Sequence, residues 1–277
     1  MNLFVFVQHV LPKHAITWLA GKFANLEGGK LTTAVIRWFV QHYDVNMQEA
    51  EYEDIASYKT FNRFFTRPLK QGARPIAQAK FICPVDGAIS QFGNIQQDQI
   101  YQAKNHRYSI LALLAGNHSL AESFINGHFA TLYLSPKDYH RIHMPCAGTL
   151  KSMAYVPGQL FSVNPVTAEG VAGLFARNER VVCEFNSDHG KFVMVLVGAT
   201  IVGSMATKWH GIVNPPRGKQ IKTWQYGSQN IHLKQGDEMG QFLLGSTVVM
   251  LFESDALTFN HTWHATKAIK LGEHMGA

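Results

Sequence analysis

KFVMVLVGATIVGSM, residues 191–205, decides the fold class. It is apolar and dense in Val and Ile, and it reads as an extended strand. FATLYLS (129–135) and STVVMLF (246–252) read the same way. From about residue 71 onward such segments are short, with Gly, Pro and Asn between them. Helical periodicity is scarce there, at 109–115 and 168–176. Residues 71–277 are therefore expected to form a mostly antiparallel β core.

Residues 1–70 have a different texture and read as helical. Leu3, Phe4, Phe6, Val7, Val10 and Leu11 crowd one short segment that Pro12 ends or kinks. Ile16, Leu19, Ala20 and Phe23 follow the i, i+3, i+4, i+7 spacing of a second helix, which Gly28-Gly29 breaks. Thr32 or Thr33 is the expected cap of a third helix carrying Val35, Ile36, Phe39 and Val40. An acidic stretch follows at 44–54, and Ser57 is placed to cap a short helix through YKTFNRFF. A helical N-terminal layer on a mostly β core is an α+β fold.

A chain of 277 residues makes one large domain or two small ones, with a core that needs no disulfide or structural metal. At 46% hydrophobic and 16% charged it is neither a disordered chain nor a coiled coil. The net charge of +6 suits an acidic surface or substrate, but without dense basic runs it does not suit nucleic acid. Cys83, Cys146 and Cys183 lie far apart with no CxxC, which argues against a disulfide framework and a cysteine zinc site. A reducing, cytosol-facing compartment is the simpler expectation. No run of 18 apolar residues exists, and the N-terminus lacks the basic start and clean cleavage site of a signal peptide.

Residues 1–40 hold Lys13, Lys22, Lys30 and Arg37 against Glu27 alone. Phe4, Phe6, Trp18, Phe23, Trp38 and Phe39 add aromatic bulk. Basic residues with Trp and Phe on short amphipathic helices suit the headgroup layer of an anionic bilayer. The same pattern also fits ordinary helices packed on a core.

The chemistry must come from elsewhere. His140 and His143 form HxxH in DYHRIHMP, but the spacing is not HExxH, Pro145 follows, and no acidic or thiol set completes a ligand group. No metal site is expected. GxGxxG, GxxxxGK[ST] and GxSxG are absent. Three passages remain: CPVDGAIS with Asp86, SPKDYHRIHMP with His140 and His143, and GQFLLGSTVVM with Ser246. Asp, His and Ser are the parts of a nucleophilic triad, in which histidine takes the serine proton and aspartate fixes the tautomer. Each also has an ordinary role, as a turn residue, a buried satisfied histidine and a strand start.

The order and wording of these passages carry a resemblance. FNRFFTR (61–67), PVDG (84–87), LSPKDYHRIHMPCAG (134–148), GQLFSVNP (158–165), LFARNERVV (174–182), VGATIVGS (197–204) and GDEMGQFLLGST (236–247) span almost the whole chain. Together they closely resemble bacterial phosphatidylserine decarboxylase of the pyruvoyl-dependent, membrane-associated type, with LGST as its self-cleavage signature. The resemblance implies a proenzyme cut between Gly245 and Ser246 into a β chain, 1–245, and an α chain, 246–277. Asp86, His143 and Ser246 match the family's charge-relay residues. Ser246 becomes the covalent pyruvoyl group, the Schiff-base site for phosphatidylserine. The β and α chains would stay together as a heterodimer, with a homodimer of such pairs suggested, peripheral to the cytoplasmic side of the cell membrane. Residues 1–70 look like the membrane-associating helices of this type.

These residue types suit that chemistry. Ser246 attacks its own preceding carbonyl, and glycine at 245 tolerates the strained backbone that this path demands. His143 is the expected general base, oriented by Asp86. His140 is assigned to proton transfer in decarboxylation. Arg63, Arg67 and Arg141 all lie in resembling segments, and the sequence does not choose among them as partners for the substrate's anions. The alternative is a serine hydrolase that uses Asp86, His143 and Ser246 without self-cleavage.

Overall fold

The computed structural model describes residues 3–104, 106–201, 204–244 and 246–277. The helices Leu3–Val10, Lys13–Ala24 and Lys30–Tyr43 open the chain. The third starts differently from expectation. Its N-cap is Gly29, with no side-chain cap. Thr32 instead accepts the Gly28 N–H, and Thr33 donates back to the Gly29 carbonyl. A short helix, Phe61–Phe65, is capped by Thr60 rather than Ser57, with Thr60 Oγ1 accepting the Arg63 N–H at 3.1 Å. Ser57 ends a 3-10 turn upstream, and Asp54 caps that turn. In the second case a polar side chain directly at the turn caps the helix in place of the residue expected from spacing; in the first, glycine takes the cap position with no side-chain bond.

The rest of the chain is mostly antiparallel sheet, so the fold is α+β. A nine-stranded sheet runs Lys222–Gln225, Gly148–Val156, Arg180–Ser187, Gly190–Val197, Ser246–Phe252, His128–Leu134, Gly87–Asn94, Ala268–Ile269, with His232–Leu233 also beside Gly148–Val156. The three segments read as strands meet at its centre. Ser246–Phe252 lies between Gly190–Val197 and His128–Leu134. A four-stranded sheet, Gly211–Asn214, Met205–Thr207, Glu238–Phe242 and Arg141–His143, packs alongside.

Both faces of the large sheet are buried. Val193, Val195, Val197, Val249 and Leu251 join a cluster with Ile36, Phe64, Phe65 and Phe175. Met194, Leu196, Val248 and Met250 join another with Ile142, Met205, Met239 and Phe242 of the smaller sheet. Alternate side chains point to opposite faces, so a strand covered on both sides is an unbroken apolar run. This run does not extend over 191–205 as one strand. It ends at Val197, and the chain next enters a strand at Met205, in the other sheet.

The helical layer is attached by polar groups. Gln8, Lys13, Thr17 and Thr32 are buried. Gln8 Oε1 accepts the Ser162 N–H, Thr17 Oγ1 accepts the Ile201 N–H at 3.1 Å, and Lys13 Nζ lies over the Phe161 ring. Trp18 and Leu19 of the same helix are 57% and 60% exposed, and Val10, Phe23, Leu26, Leu31 and Trp38 also face outward. No helix among the described residues is long and apolar enough to cross a membrane.

Candidate active site

The stretch GDEMGQFLLGST crosses from one sheet to the other. Glu238–Phe242 belongs to the four-stranded sheet and Ser246–Phe252 to the nine-stranded one. The predicted cleavage point is in the crossing itself. Gly245 lies outside the described residues, and so does the Ser246 side chain; the Ser246 backbone pairs with Leu134. Residues 135–140 continue directly from that partner strand, and they organise the site.

His140 follows on this turn. It is fully buried, stacked on Phe65 at 4.1 Å between ring centres. Its Nε2–H donates to the Ser135 carbonyl at 3.0 Å, because a carbonyl can only accept. Nδ1 is therefore the bare nitrogen, and it has no hydrogen-bond partner among the described residues. Burial first, and the Arg67 charge second, push His140 down to about 3, so it is neutral at physiological pH. Phe242 donates its N–H to the His140 carbonyl, which ties His140 to the strand that leads into the crossing.

His143 lies one turn of chain further, in Arg141–His143, opposite Glu238. Its Nδ1–H donates to the Gly236 carbonyl at 2.8 Å. Nε2 is then the basic atom, and the Tyr139 hydroxyl donates to it at 3.1 Å. Burial holds His143 below its ordinary value, partly offset by the Gly236 hydrogen bond and by nearby Glu238. Gly236 has φ +81, in the left-handed region where a side chain would be strained. That turn aims its carbonyl at the histidine.

Asp86 is placed by Gly87, where an added Cβ would stand 2.3 Å from the Tyr133 carbonyl oxygen. Glycine lets this strand close on His128–Leu134. The Asp86 carboxylate does not bond His143. Arg74 Nε reaches Oδ1 at 2.9 Å and Oδ2 at 3.1 Å, Arg74 Nη2 reaches Oδ2, and the Leu271 N–H donates to Oδ1 at 2.9 Å. Arg74 also bridges to Glu49. Burial pulls the Arg74 guanidinium down, but its bonds to the two carboxylates outweigh this and raise it. The structure thus sets His140 on the turn that follows the partner strand of Ser246, and Asp86 in a buried ion pair whose charge is felt by His143. The sequence did not point to Gly236, Tyr139 or Arg74. Tyr139 stood within the DYHRIHMP passage and Gly236 opened GDEMGQFLLGST, but Arg74 gave no local signal.

Two clefts flank the site. One, of about 240 Å³, is lined by Arg67, Arg74, Asp86, Lys137, Asp138 and Tyr139 among others. The other, of about 320 Å³, lies between helix Lys13–Ala24 and the Leu243–Leu244 crossing. Among the described residues no group of three or more His, Cys, Asp or Glu side chains is placed to hold a metal ion. The cysteines are free and buried.

A family model described as phosphatidylserine decarboxylase matches residues 61–277, and one described as PSD matches 3–44. A phosphatidylserine decarboxylase proenzyme from Dechloromonas aromatica is 66% identical over 276 residues, covering 100% of this chain and 98% of the relative. Proenzymes of the same name from Azoarcus sp. and Methylobacillus flagellatus are 65% and 66% identical, covering 99% and 97% of this chain and 96% of each relative. The class is thereby set: the protein is an enzyme, a carboxy-lyase. More narrowly, the chain belongs to the phosphatidylserine decarboxylase family.

Proposed function

We propose that this chain is made as a proenzyme, cuts itself between Gly245 and Ser246, and decarboxylates phosphatidylserine to phosphatidylethanolamine and carbon dioxide at a membrane surface. The family match and the proenzyme relatives support the reaction. The observation that carries the residue assignment is the state of His143. Its Nδ1–H is fixed on Gly236, so Nε2 is a neutral, buried base.

In self-cleavage the Ser246 hydroxyl oxygen adds to the Gly245 carbonyl carbon as His143 Nε2 takes the hydroxyl proton. The Tyr139 hydroxyl must rotate off that nitrogen as the serine arrives. His143 then returns the proton to the departing nitrogen, and the acyl group has moved from nitrogen to oxygen. Loss of the Ser246 α-proton expels the Gly245 carboxylate and leaves dehydroalanine at 246. Water converts this to a pyruvoyl group and ammonia. Gly236 orients the histidine, and the Asp86 charge favours the imidazolium through space.

The surroundings suit a pyruvoyl group at 246. His140 Nδ1 is buried, bare and without a hydrogen-bond partner among the described residues. In place, the pyruvoyl group supplies the carbonyl that captures the substrate amine and accepts the electron pair left by departing carbon dioxide. His140 is assigned the return of a proton to the carbon that lost its carboxylate, and its bare Nδ1 can accept a hydrogen bond from the substrate amine. His140→Ala should therefore still self-cleave and turn over poorly.

Membrane attachment is supported by the inverted helices. An amphipathic helix packed only on a core buries its apolar face. Helix Lys13–Ala24 buries Lys13 and Thr17 and exposes Trp18, Leu19 and Phe23. An outward apolar face beside Lys22 and Lys30 fits the interfacial layer of an anionic bilayer. The protein would be peripheral, with the 320 Å³ cleft between this helix and the crossing as the route for a lipid headgroup.

The test is intact mass under denaturing conditions for wild type and Ser246→Ala, with phosphatidylserine turnover alongside. Wild type should give two chains split after Gly245, the smaller without a free amine, and Ser246→Ala should give one. A wild-type chain that stays whole and reacts with a fluorophosphonate at Ser246 would instead establish the serine hydrolase.

A further inference from the structure

Two arginines are almost wholly buried, and they are treated differently. Arg180 and Arg67 are each 3% exposed. Every nitrogen of the Arg180 guanidinium meets a carbonyl: Nε on Leu113, Nη1 on Ala176 and Asn178, Nη2 on Ala112. That is a structural arginine. Arg67 places only Nη2, on the Lys137 carbonyl at 3.0 Å. Its Nε and Nη1 have no partner. A buried guanidinium with idle donors is costly unless an acceptor arrives.

The carboxylates around it are already engaged. Asp86 is held by Arg74 and Leu271, and Asp138 by the Ser135 N–H and hydroxyl. Arg67 lines the 240 Å³ cleft beside Asp86 and Tyr139, and Lys137, exposed, stands on the same cleft. The other two candidate arginines differ from Arg67 in burial and in partners. Arg141 is spent on Glu238 and the Thr66 carbonyl, and Arg63 is exposed to solvent. Arg67 is also held rigidly. The Phe64 ring lies 5.4 Å under it, and Phe65, two residues before it, stacks on His140. One short segment therefore positions both the idle cation and the bare histidine.

Building on the proposed reaction, we infer that Arg67 is the substrate's anion partner: one of its idle donors, Nε–H or Nη1–H, donates to an oxygen of the phosphatidylserine headgroup, phosphate or carboxylate, with Lys137 assisting from the mouth of the cleft. The two idle donors point to different sides of the guanidinium, so each offers one charge-assisted hydrogen bond to an oxyanion.

The experiment uses full-length Arg67→Gln, Arg67→Lys and Lys137→Gln, with self-cleavage by mass, steady-state kinetics on phosphatidylserine in mixed micelles, and inhibition by phosphatidylethanolamine. Arg67→Gln should self-cleave and raise KM about tenfold or more, with a smaller change in kcat. Arg67→Lys should recover part of that loss, and Lys137→Gln should raise KM about two- to threefold. If the phosphate is held, product inhibition weakens in step with KM, because the product keeps its phosphate. If the carboxylate is held, product inhibition is unchanged. A KM within twofold of wild type in Arg67→Gln overturns the inference, and so does failure of both Arg67 variants to self-cleave, which would make the arginine structural. A wild type that neither cleaves nor turns over phosphatidylserine would overturn the reaction itself, a separate outcome.

Discussion

In the strand Gly190–Val197, every residue from Phe192 to Val197 is buried. In the helix Lys13–Ala24 the buried residues are Lys13, Thr17 and Ala24, while Trp18, Leu19 and Phe23 face out. The sheet is held by apolar area, and its polar groups are backbone pairs inside the ladder. The helical layer also buries Val5, Ala24 and Ile36, but its first two helices are tied by hydrogen bonds to loops at Ser162 and Ile201, and much of its apolar area stays on the outside. Nine of the sixteen exposed large apolar side chains lie within residues 6–38, so the exposure belongs to one region and is not scattered. Concentrated apolar exposure marks an interaction surface. The difference teaches that burial, not composition, separates the scaffold from a layer with an outward apolar face in this chain.

Substitutions can break or sharpen that contrast. The largest effect is expected in the core at Asp86→Ala, which leaves buried Arg74 with Glu49 as its one carboxylate and the Leu271 N–H without its acceptor; removing one partner of a buried pair costs about 3–5 kcal/mol, to be read in denaturant unfolding. A near-wild-type midpoint would show that the ion pair is dispensable. Next, Leu251→Ala in the central strand should cost about 2–5 kcal/mol, because both faces of that sheet are packed.

The core should also respond to acid. His140 is lowered from 6.5 to about 3 by burial and by Arg67, so the unfolded chain binds its proton first. Stability is then fully present above about pH 6.5 and falls as the pH drops from there toward 3. His140→Asn should flatten that fall, and an unchanged slope would place the acid sensitivity elsewhere.

Smaller effects belong to the helical layer. Thr17→Val leaves the Ile201 N–H without its acceptor and should cost about 1–2 kcal/mol. The smallest change in stability, within about 0.5 kcal/mol, is expected for Trp18→Ser with Leu19→Ser, which should nevertheless weaken binding to anionic liposomes. A double variant that binds liposomes as wild type does would remove the membrane role from this face.

Much of this was legible beforehand, and for local reasons. A β-branched apolar run declares a strand by its own residues, so FATLYLS and STVVMLF match His128–Leu134 and Ser246–Phe252 almost to the residue. The run at 191–205 was overextended because Val and Ile continue past Gly198, while the register with Thr247 ends at Val197. Thr60, not Ser57, capped the short helix, since capping depends on where the chain turns and not only on spacing.

By itself the sequence determined the α+β division, the three central strands and the ordered passages that carry Asp86, His140, His143 and Ser246. Tertiary structure alone decided which face of each N-terminal helix points outward. It also decided that Gly236 and Ser135 set the histidine tautomers, and that of three candidate arginines Arg67 is the one buried with free donors. The physical reason is range. Propensity and periodicity act between neighbours in the chain, whereas exposure, protonation and unmet hydrogen bonds depend on groups such as Gly236 and His143 that lie 93 residues apart and meet only in the fold.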